Sequence, residues 1–176
     1  MVPEVVRADA QSFQRVFQAE LGYVATSLRR LGVAPRDVED VSHDLFVEVW
    51  KRFDTYDPAR PIRPWLFAFA FRFASDYRRL SRHKVEVFVE KDAAESTRGA
   101  DELLVERAEQ LLLFTALESI SEERRPVFIL FELDGVPMQE IADTLGIPPN
   151  TAYSRLRLAR EEFSAAARRR AKKEAR

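Results

Sequence analysis

The segment Pro137-Met-Gln-Glu-Ile-Ala-Asp-Thr-Leu-Gly-Ile-Pro-Pro-Asn-Thr-Ala-Tyr-Ser-Arg-Leu-Arg157 constrains the fold more than any other stretch of the chain. It reads as two helices joined by a tight turn. Ile141, Ala142 and Leu145 face inward from the first helix, Gly146 permits the bend, and Ile147 plugs the gap between the helices. Ala152 and Leu156 are the inward positions of the second helix, and small Ala142 lets the two backbones approach closely. Asn150 or Thr151 can cap the second helix and leave its N-terminus facing a groove. The outward face then carries Thr151, Tyr153, Ser154, Arg155 and Arg157, with Arg160 one turn on. Arginine binds guanine edges bidentately or neutralises phosphate, and Ser and Thr hydrogen-bond to either. A helical hairpin with solvated arginines is the plainer alternative. The glycine, the apolar plug, the cap and the basic face agree on a DNA-reading hairpin.

The rest of the chain is also helical in its periodicity. Phe13, Val16, Phe17, Leu21, Val24, Leu28 and Leu31 recur at spacings of three, four and seven, which predicts a helix over 12–31 starting at Ser12. Gly32 closes it and Pro35 bars its continuation. A second helix runs from about Arg36 to Arg52, with Val38, Val41, Leu45 and Val49 as its apolar face and Phe46 and Trp50 beside it. Residues 53–64 contain Pro58, Pro61 and Pro64 and read as a stiff loop.

Residues 65–80 are ambiguous. Phe67, Phe69, Phe71 and Phe73 alternate at a strand-like period of two, but Trp65, Phe69 and Phe73 also fit i, i+4 and i+8. With no second strand to pair with, a helix is favoured. Residues 85–105 lose periodicity and read as an acidic linker, with a strand-like start at Val85–Val89. Four helical segments follow, over 103–118, 121–133, 137–145 and 149–171, the second capped by Ser121 and ended by the Asp134-Gly135 turn.

Charge divides along the same lines. Residues 1–84 carry 14 Lys/Arg and 11 Asp/Glu, residues 85–123 carry 3 and 11, and residues 124–176 carry 11 and 7. Two basic modules therefore flank an acidic middle, and a net charge of -1 does not argue against nucleic acid. The absence of cysteine excludes disulfide scaffolds, thiolate metal sites and cysteine nucleophiles. The only histidines, His43 and His83, are far apart in sequence, and no glycine-rich phosphate loop is present. No apolar run approaches a membrane span, and the N-terminus does not read as a signal peptide, so a cytoplasmic protein is expected.

Two further clusters carry chemistry. Trp65, Phe67, Phe69, Phe71, Arg72, Phe73, Tyr77, Arg78, Arg79, Arg82 and Lys84 mix aromatic and cationic groups, as single-strand binding requires; phenylalanine at this density equally describes a core. Asp37, Asp40, Asp44 and Glu48 share a helix face, with Glu39 nearby and Asp54 and Asp57 beyond. That face suits a basic partner, simple solvation or, least of all, a divalent metal.

The order of parts resembles a bacterial sigma factor. Asp37-Val-Glu-Asp-Val-Ser-His-Asp-Leu-Phe-Val-Glu-Val-Trp50, then Phe53-Asp, Asp57-Pro, Arg63-Pro-Trp-Leu-Phe67 and Asp76-Tyr-Arg-Arg79 look like region 2, and Leu117 to Phe163 looks like region 4. With nothing but a linker between them, the layout resembles the extracytoplasmic-function (ECF) group.

The resemblance implies an all-α protein of two small helical domains, region 2 over 1–84 and a helix-turn-helix region 4 over 106–176, joined by the linker at 85–105. It implies that Asp37, Asp40, Val41, Asp44, Leu45, Glu48 and Trp50 dock on the β′ clamp helices of core RNA polymerase, with the β flap as a further contact. Tyr56, Arg60, Arg63, Trp65, Arg72, Asp76, Tyr77, Arg78, Arg79 and Arg82 would capture and melt the −10 element. Asn150, Thr151, Tyr153, Ser154, Arg155, Arg157 and Arg160 would read the −35 element. Promoter DNA and an anti-sigma factor are the other implied partners; no cofactor, metal, catalytic residue or membrane contact is implied, and a monomer is expected on the polymerase.

Three positions depart from the family pattern. Arg72 stands where Asn is frequent, Tyr153 where Lys or Arg is usual, and Leu158 where a basic residue is frequent. The rival readings are a stand-alone helix-turn-helix regulator that binds duplex DNA without polymerase, a metal-dependent phosphotransferase built on the acidic helix, and a helical adaptor without nucleic acid.

Overall fold

In the computed structural model, the backbone is described for residues 10–85 and 101–174 and the side chains for residues 10–80 and 110–169. Among these residues all regular structure is helical. Helix α1 (Ala10–Arg30) starts two residues before Ser12 and buries Val24 and Leu28, with Phe13, Val16 and Phe17 partly covered. It ends as the sequence predicts. Gly32 takes φ 98°, and the Val33 amide reaches back to the Leu28 carbonyl at 3.0 Å, satisfying one of the carbonyls a helix end leaves open. Pro35–Asp37 form a 3-10 turn, so α2 (Val38–Lys51) opens slightly later than expected.

The proline loop is shorter than predicted. A 3-10 turn, Phe53–Thr55, opens it, but α3 (Ile62–Val85) already includes Arg63 and Pro64. A proline in the first helical turn gives up an amide that would have no helical partner anyway. Helix α3 also settles the Phe67–Phe73 alternation. Leu66, Phe67, Ala70 and Ala74 are fully buried and Phe69 nearly so, while Phe71 and Phe73 are half-covered. The helix packs against α1, α2 and α6, so it is apolar on several sides and mimics a period of two.

Helix α4 (Asp101–Glu118) begins inside the stretch read as linker. Val85 ends α3, and the rest of the strand-like 85–89 segment lies outside the described residues. Ser121 does not cap the next helix with its side chain. Its carbonyl instead accepts from the amides of Arg124 and Arg125, both at 3.0 Å, and its amide donates to Glu162 Oε2. Helix α5 (Arg125–Phe128) runs straight into a π-helical turn, Ile129–Leu133, which no sequence pattern announces.

The hairpin follows as α6 (Met138–Leu145) and α7 (Pro149–Glu174). Gly146 adopts the left-handed conformation at φ 64°, and the Ile147 amide bonds to the Ala142 carbonyl at 3.0 Å. Pro149 occupies the first helical position, so Asn150 and Thr151 sit inside the first turn and neither is the cap. The two halves of the chain share one continuous core, with α1 against α4 and α3 against α6.

Candidate nucleic-acid and polymerase interface

Helix α7 buries Ala152, Leu156 and Ala159 against the rest of the hairpin. The opposite face is turned to solvent: Tyr153 is 59% exposed, and Asn150, Ser154, Arg157 and Arg160 are exposed beside it. Thr151, Arg155 and Leu158 are half-buried at its flanks. The cations have carboxylate neighbours: Arg157 bonds Glu161 at 2.7 Å, Arg160 bonds Glu132 at 2.6 Å and lies over the Phe131 ring, and Arg155 sits 3.6 Å from Glu123. Exposed pairs of this kind are worth little in water and exchange readily for phosphate.

The loop before α3 is rigidly built. The Tyr56 hydroxyl donates to the Arg60 carbonyl at 2.6 Å, and Asp57 Oδ1 accepts from the Ala59 amide at 2.9 Å. Tyr56 lies 5.2 Å, ring to ring, from half-buried Trp65, which meets Phe69 edge-on. Burial, with a lesser contribution from Asp57, raises the Tyr56 pKa, so the phenol stays a donor. Arg60 and Arg63 are both exposed, and Arg63 also reaches α1, bonding Glu20 at 2.9 Å and covering the Tyr23 ring. The Glu20 hydrogen bond raises the Arg63 pKa.

Along α3 the cationic residues divide. Arg72 is exposed, draped over Phe69 and Phe73 and 3.9 Å from Glu48. Asp76 and Arg79 are exposed and paired at 3.0 Å. Tyr77 and Arg78 turn inward instead. Tyr77 donates to Asp37 Oδ2 at 2.6 Å, and Arg78 donates to the Leu31 carbonyl and sits 3.4 Å from Glu122. Arg82 lies on α3, with its side chain outside the described residues. Phe67 is fully buried and belongs to the core, not to a base platform.

On α2, Asp40 and Asp44 are exposed and Trp50 is 42% exposed. Leu45 is 0% exposed: it supports this face from beneath and is not part of its surface. Val41 and Asp37 are half-buried. Glu48 is held by Arg52 at 2.8 Å and Lys51 at 3.7 Å, and the Arg52 hydrogen bond, opposed by slight desolvation, lowers its pKa. Beside Trp50 opens an apolar groove of about 480 Å³ lined by Phe13, Phe17, His43, Phe46 and Val47. The sequence reading left out exposed Val47, although its place three residues before Trp50 puts both on one side of α2.

Residues 16–83 match the family model described as Sigma-70 region 2, and residues 110–163 match Sigma-70, region 4. The chain is an ECF-type sigma factor. Its relatives agree across both regions. The RNA polymerase sigma factor CnrH of Cupriavidus metallidurans is 28% identical, covering 81% of this chain and 79% of that one. The ECF RNA polymerase sigma-E factor of Escherichia coli K12 is 26% identical, covering 92% and 89%. Among solved structures, CnrH in complex with the cytosolic domain of CnrY superposes with a TM-score of 0.65 at 26% identity, over 89% of this chain and 88% of that one. RpoE in complex with the anti-sigma factor NepR, from Bartonella quintana, shares the fold with a TM-score of 0.68 at 22% identity, over 90% and 98%.

Sigma factors are transcription initiation factors, not catalytic enzymes, and this one serves promoter-specific initiation with RNA polymerase. That assignment displaces the stand-alone regulator, the phosphotransferase and the adaptor. Among the described residues no helix of this sigma factor is long and apolar enough to cross a membrane, and no three His, Asp or Glu are grouped to hold a metal ion.

Proposed function

We propose that this sigma factor docks on the β′ clamp helices through the exposed face of α2, captures the −10 element with the loop at 56–61 and the outer face of α3, and reads the −35 element with α7. The observation that carries this reading is the outward face of α7. A 59%-exposed Tyr153 stands with exposed Ser154, Arg157 and Arg160 at the start of a long helix behind a left-handed glycine turn. That is the placement of groups a major-groove helix needs. Arg60, Arg63, Trp65, Arg72, Asp76 and Arg79 supply the exposed or half-exposed groups for −10 capture, while Tyr77 and Arg78 brace the site from inside. Asp40, Asp44, Val47 and Trp50 supply the docking face. Unpairing bases costs a few kcal/mol, which base capture and backbone contacts offset.

An anti-sigma factor belongs to the same proposal. The similar CnrH was solved with the cytosolic domain of CnrY, and RpoE with the anti-sigma factor NepR. A partner of that kind would hold this chain off polymerase. The decisive experiment is a pull-down with purified core RNA polymerase followed by run-off transcription on genomic fragments. Stable association with discrete new transcripts is expected; a chain that shifts duplex DNA alone and never joins polymerase would defeat the proposal.

A further inference from the structure

Among the described residues Tyr153 is the most exposed aromatic side chain, and no hydrogen bond or ring contact engages it. A ring open to water adds little to the fold, so its place on α7 calls for another reason. Its neighbours on that face are Asn150, Ser154 and Arg157, all exposed. Asn150, Tyr153 and Arg157 follow one another at spacings of three and four, which sets them in one stripe along α7. Buried Ala152, Leu156 and Ala159 hold the opposite side of the helix and fix the direction of that stripe. At roughly 1.5 Å of rise per residue the stripe is about 10 Å long, close to three base-pair steps of about 3.4 Å. Tyr153 stands near its middle.

The chemistry of a major groove limits what a tyrosine can do there. A phenol carries no charge, so it cannot neutralise phosphate. Its one hydroxyl cannot make the paired bonds by which arginine selects guanine or asparagine selects adenine. What it offers is a flat apolar ring held by only two side-chain torsions. The apolar feature that base edges present in the major groove is the thymine 5-methyl. Ring and methyl are both hydrated when apart, and bringing them together is favoured by the hydrophobic effect.

We propose that Tyr153 is a specificity-determining residue that packs its ring on a thymine methyl, so that the base pair between those met by Asn150 and Arg157 is an A·T pair. This deepens the reading of α7 as the −35 helix and rests on it. The competing role for the same side chain is a bond from its hydroxyl to a phosphate, which positions the helix and is blind to sequence. The two roles use different atoms of the residue, the ring in one and the oxygen in the other, and can therefore be separated.

The test uses the holoenzyme on duplex probes that carry the −35 element mapped by run-off transcription. Each thymine of that element is replaced in turn by deoxyuridine, which removes the 5-methyl and nothing else. At one position this is expected to weaken binding about fourfold, the worth of one buried methyl. Tyr153→Phe is expected to keep that sensitivity, and Tyr153→Ala to lose it. At the same position a G·C pair is expected to bind less well than the A·T pair, and 5-methylcytosine in place of cytosine to recover part of the loss, because it returns a methyl to the groove. Indifference of the wild-type holoenzyme to every deoxyuridine, or a sensitivity that survives Tyr153→Ala, would overturn the assignment. So would an equal loss on all probes in Tyr153→Phe, the mark of a phosphate contact. Scrambling the whole element tests the −35 reading separately: if wild-type binding ignores it, that reading falls, whereas if scrambling matters and methyl removal does not, only the role of Tyr153 falls.

Discussion

The Tyr77 hydroxyl donates to Asp37 Oδ2 at 2.6 Å, tying the far part of α3 to the residue that opens α2. The sequence pointed each of these residues outward, Tyr77 to DNA and Asp37 to polymerase. Tyr77→Phe is expected to cost about 1 kcal/mol of stability, the net worth of one such bond. Asp37→Ala is expected to cost as much or more, about 1–3 kcal/mol, because it removes the charged acceptor of that bond. Urea unfolding of both variants, with transcription assayed at a temperature where both are folded, distinguishes a brace from a DNA contact.

Gly32 and Arg125 form a second test. At φ 98° a side chain is strained, and a Cβ on Gly32 would stand 3.1 Å from Arg125 Nη1. Gly32→Ala should therefore cost at least the 1–2 kcal/mol, roughly, of a left-handed alanine. Desolvation first, and then Arg78, lower the Arg125 pKa, yet the fork stays charged and satisfies three carbonyls. Arg125→Lys is expected to fail as a replacement, since a single ammonium cannot span that fork. Calorimetry of the three proteins checks both statements.

Arg155→Ala is expected to cost about 1–3 kcal/mol of −35 binding in the holoenzyme if Arg155 reads a base. A base contact relaxes selectivity at one promoter position, whereas a phosphate contact weakens all promoters alike. Arg157→Ala should act at least as strongly, because Arg157 is exposed and its carboxylate partner, Glu161, is an exposed neighbour on the same helix. Affinities for a promoter series with single −35 substitutions separate the two modes.

Asp40→Lys with Asp44→Lys should weaken association with core polymerase, as both carboxylates are exposed on the proposed docking face of α2. Glu48→Gln should do so less, because that carboxylate is already engaged by Arg52 and Lys51. Its lowered folded pKa gives a pH signature. The Arg52 pair is intact above the usual carboxylate range and is lost as pH falls through the depressed value. A carboxyl titration followed by NMR should place the Glu48 midpoint below that range and move it upward in Arg52→Ala.

What could be read from sequence follows what is local. The α1 stripe, the Gly32 stop and the Gly146 hairpin each depend on residues within one or two turns, and all three are present. Helix α3 was legible only by elimination, because contact with three helices erases a single apolar face. The solvent face of α7 was legible because its buried Ala152, Leu156 and Ala159 fix which residues point away. Tyr23, Arg30, Asp134 and Arg125 were not, since their partners lie about a hundred residues off and no short pattern encodes such pairing. The one hint was Arg125 itself, a cation set at the edge of the apolar run Pro126–Leu130. The inward turn of Tyr77 and Arg78 was illegible for the same reason: composition shows the group, and only packing shows its direction.

The Leu31 carbonyl accepts from Arg78 of its own module and from Arg125 of the other. A main-chain oxygen belongs to no residue type. Exchanging Leu31 for another apolar residue would leave the acceptor in place, so a scan of side-chain substitutions along α1 would pass over the junction. In chimaeras built from two sigma factors, the donor arginines could be transplanted intact and still lose their grip, if the new chain bent differently after α1.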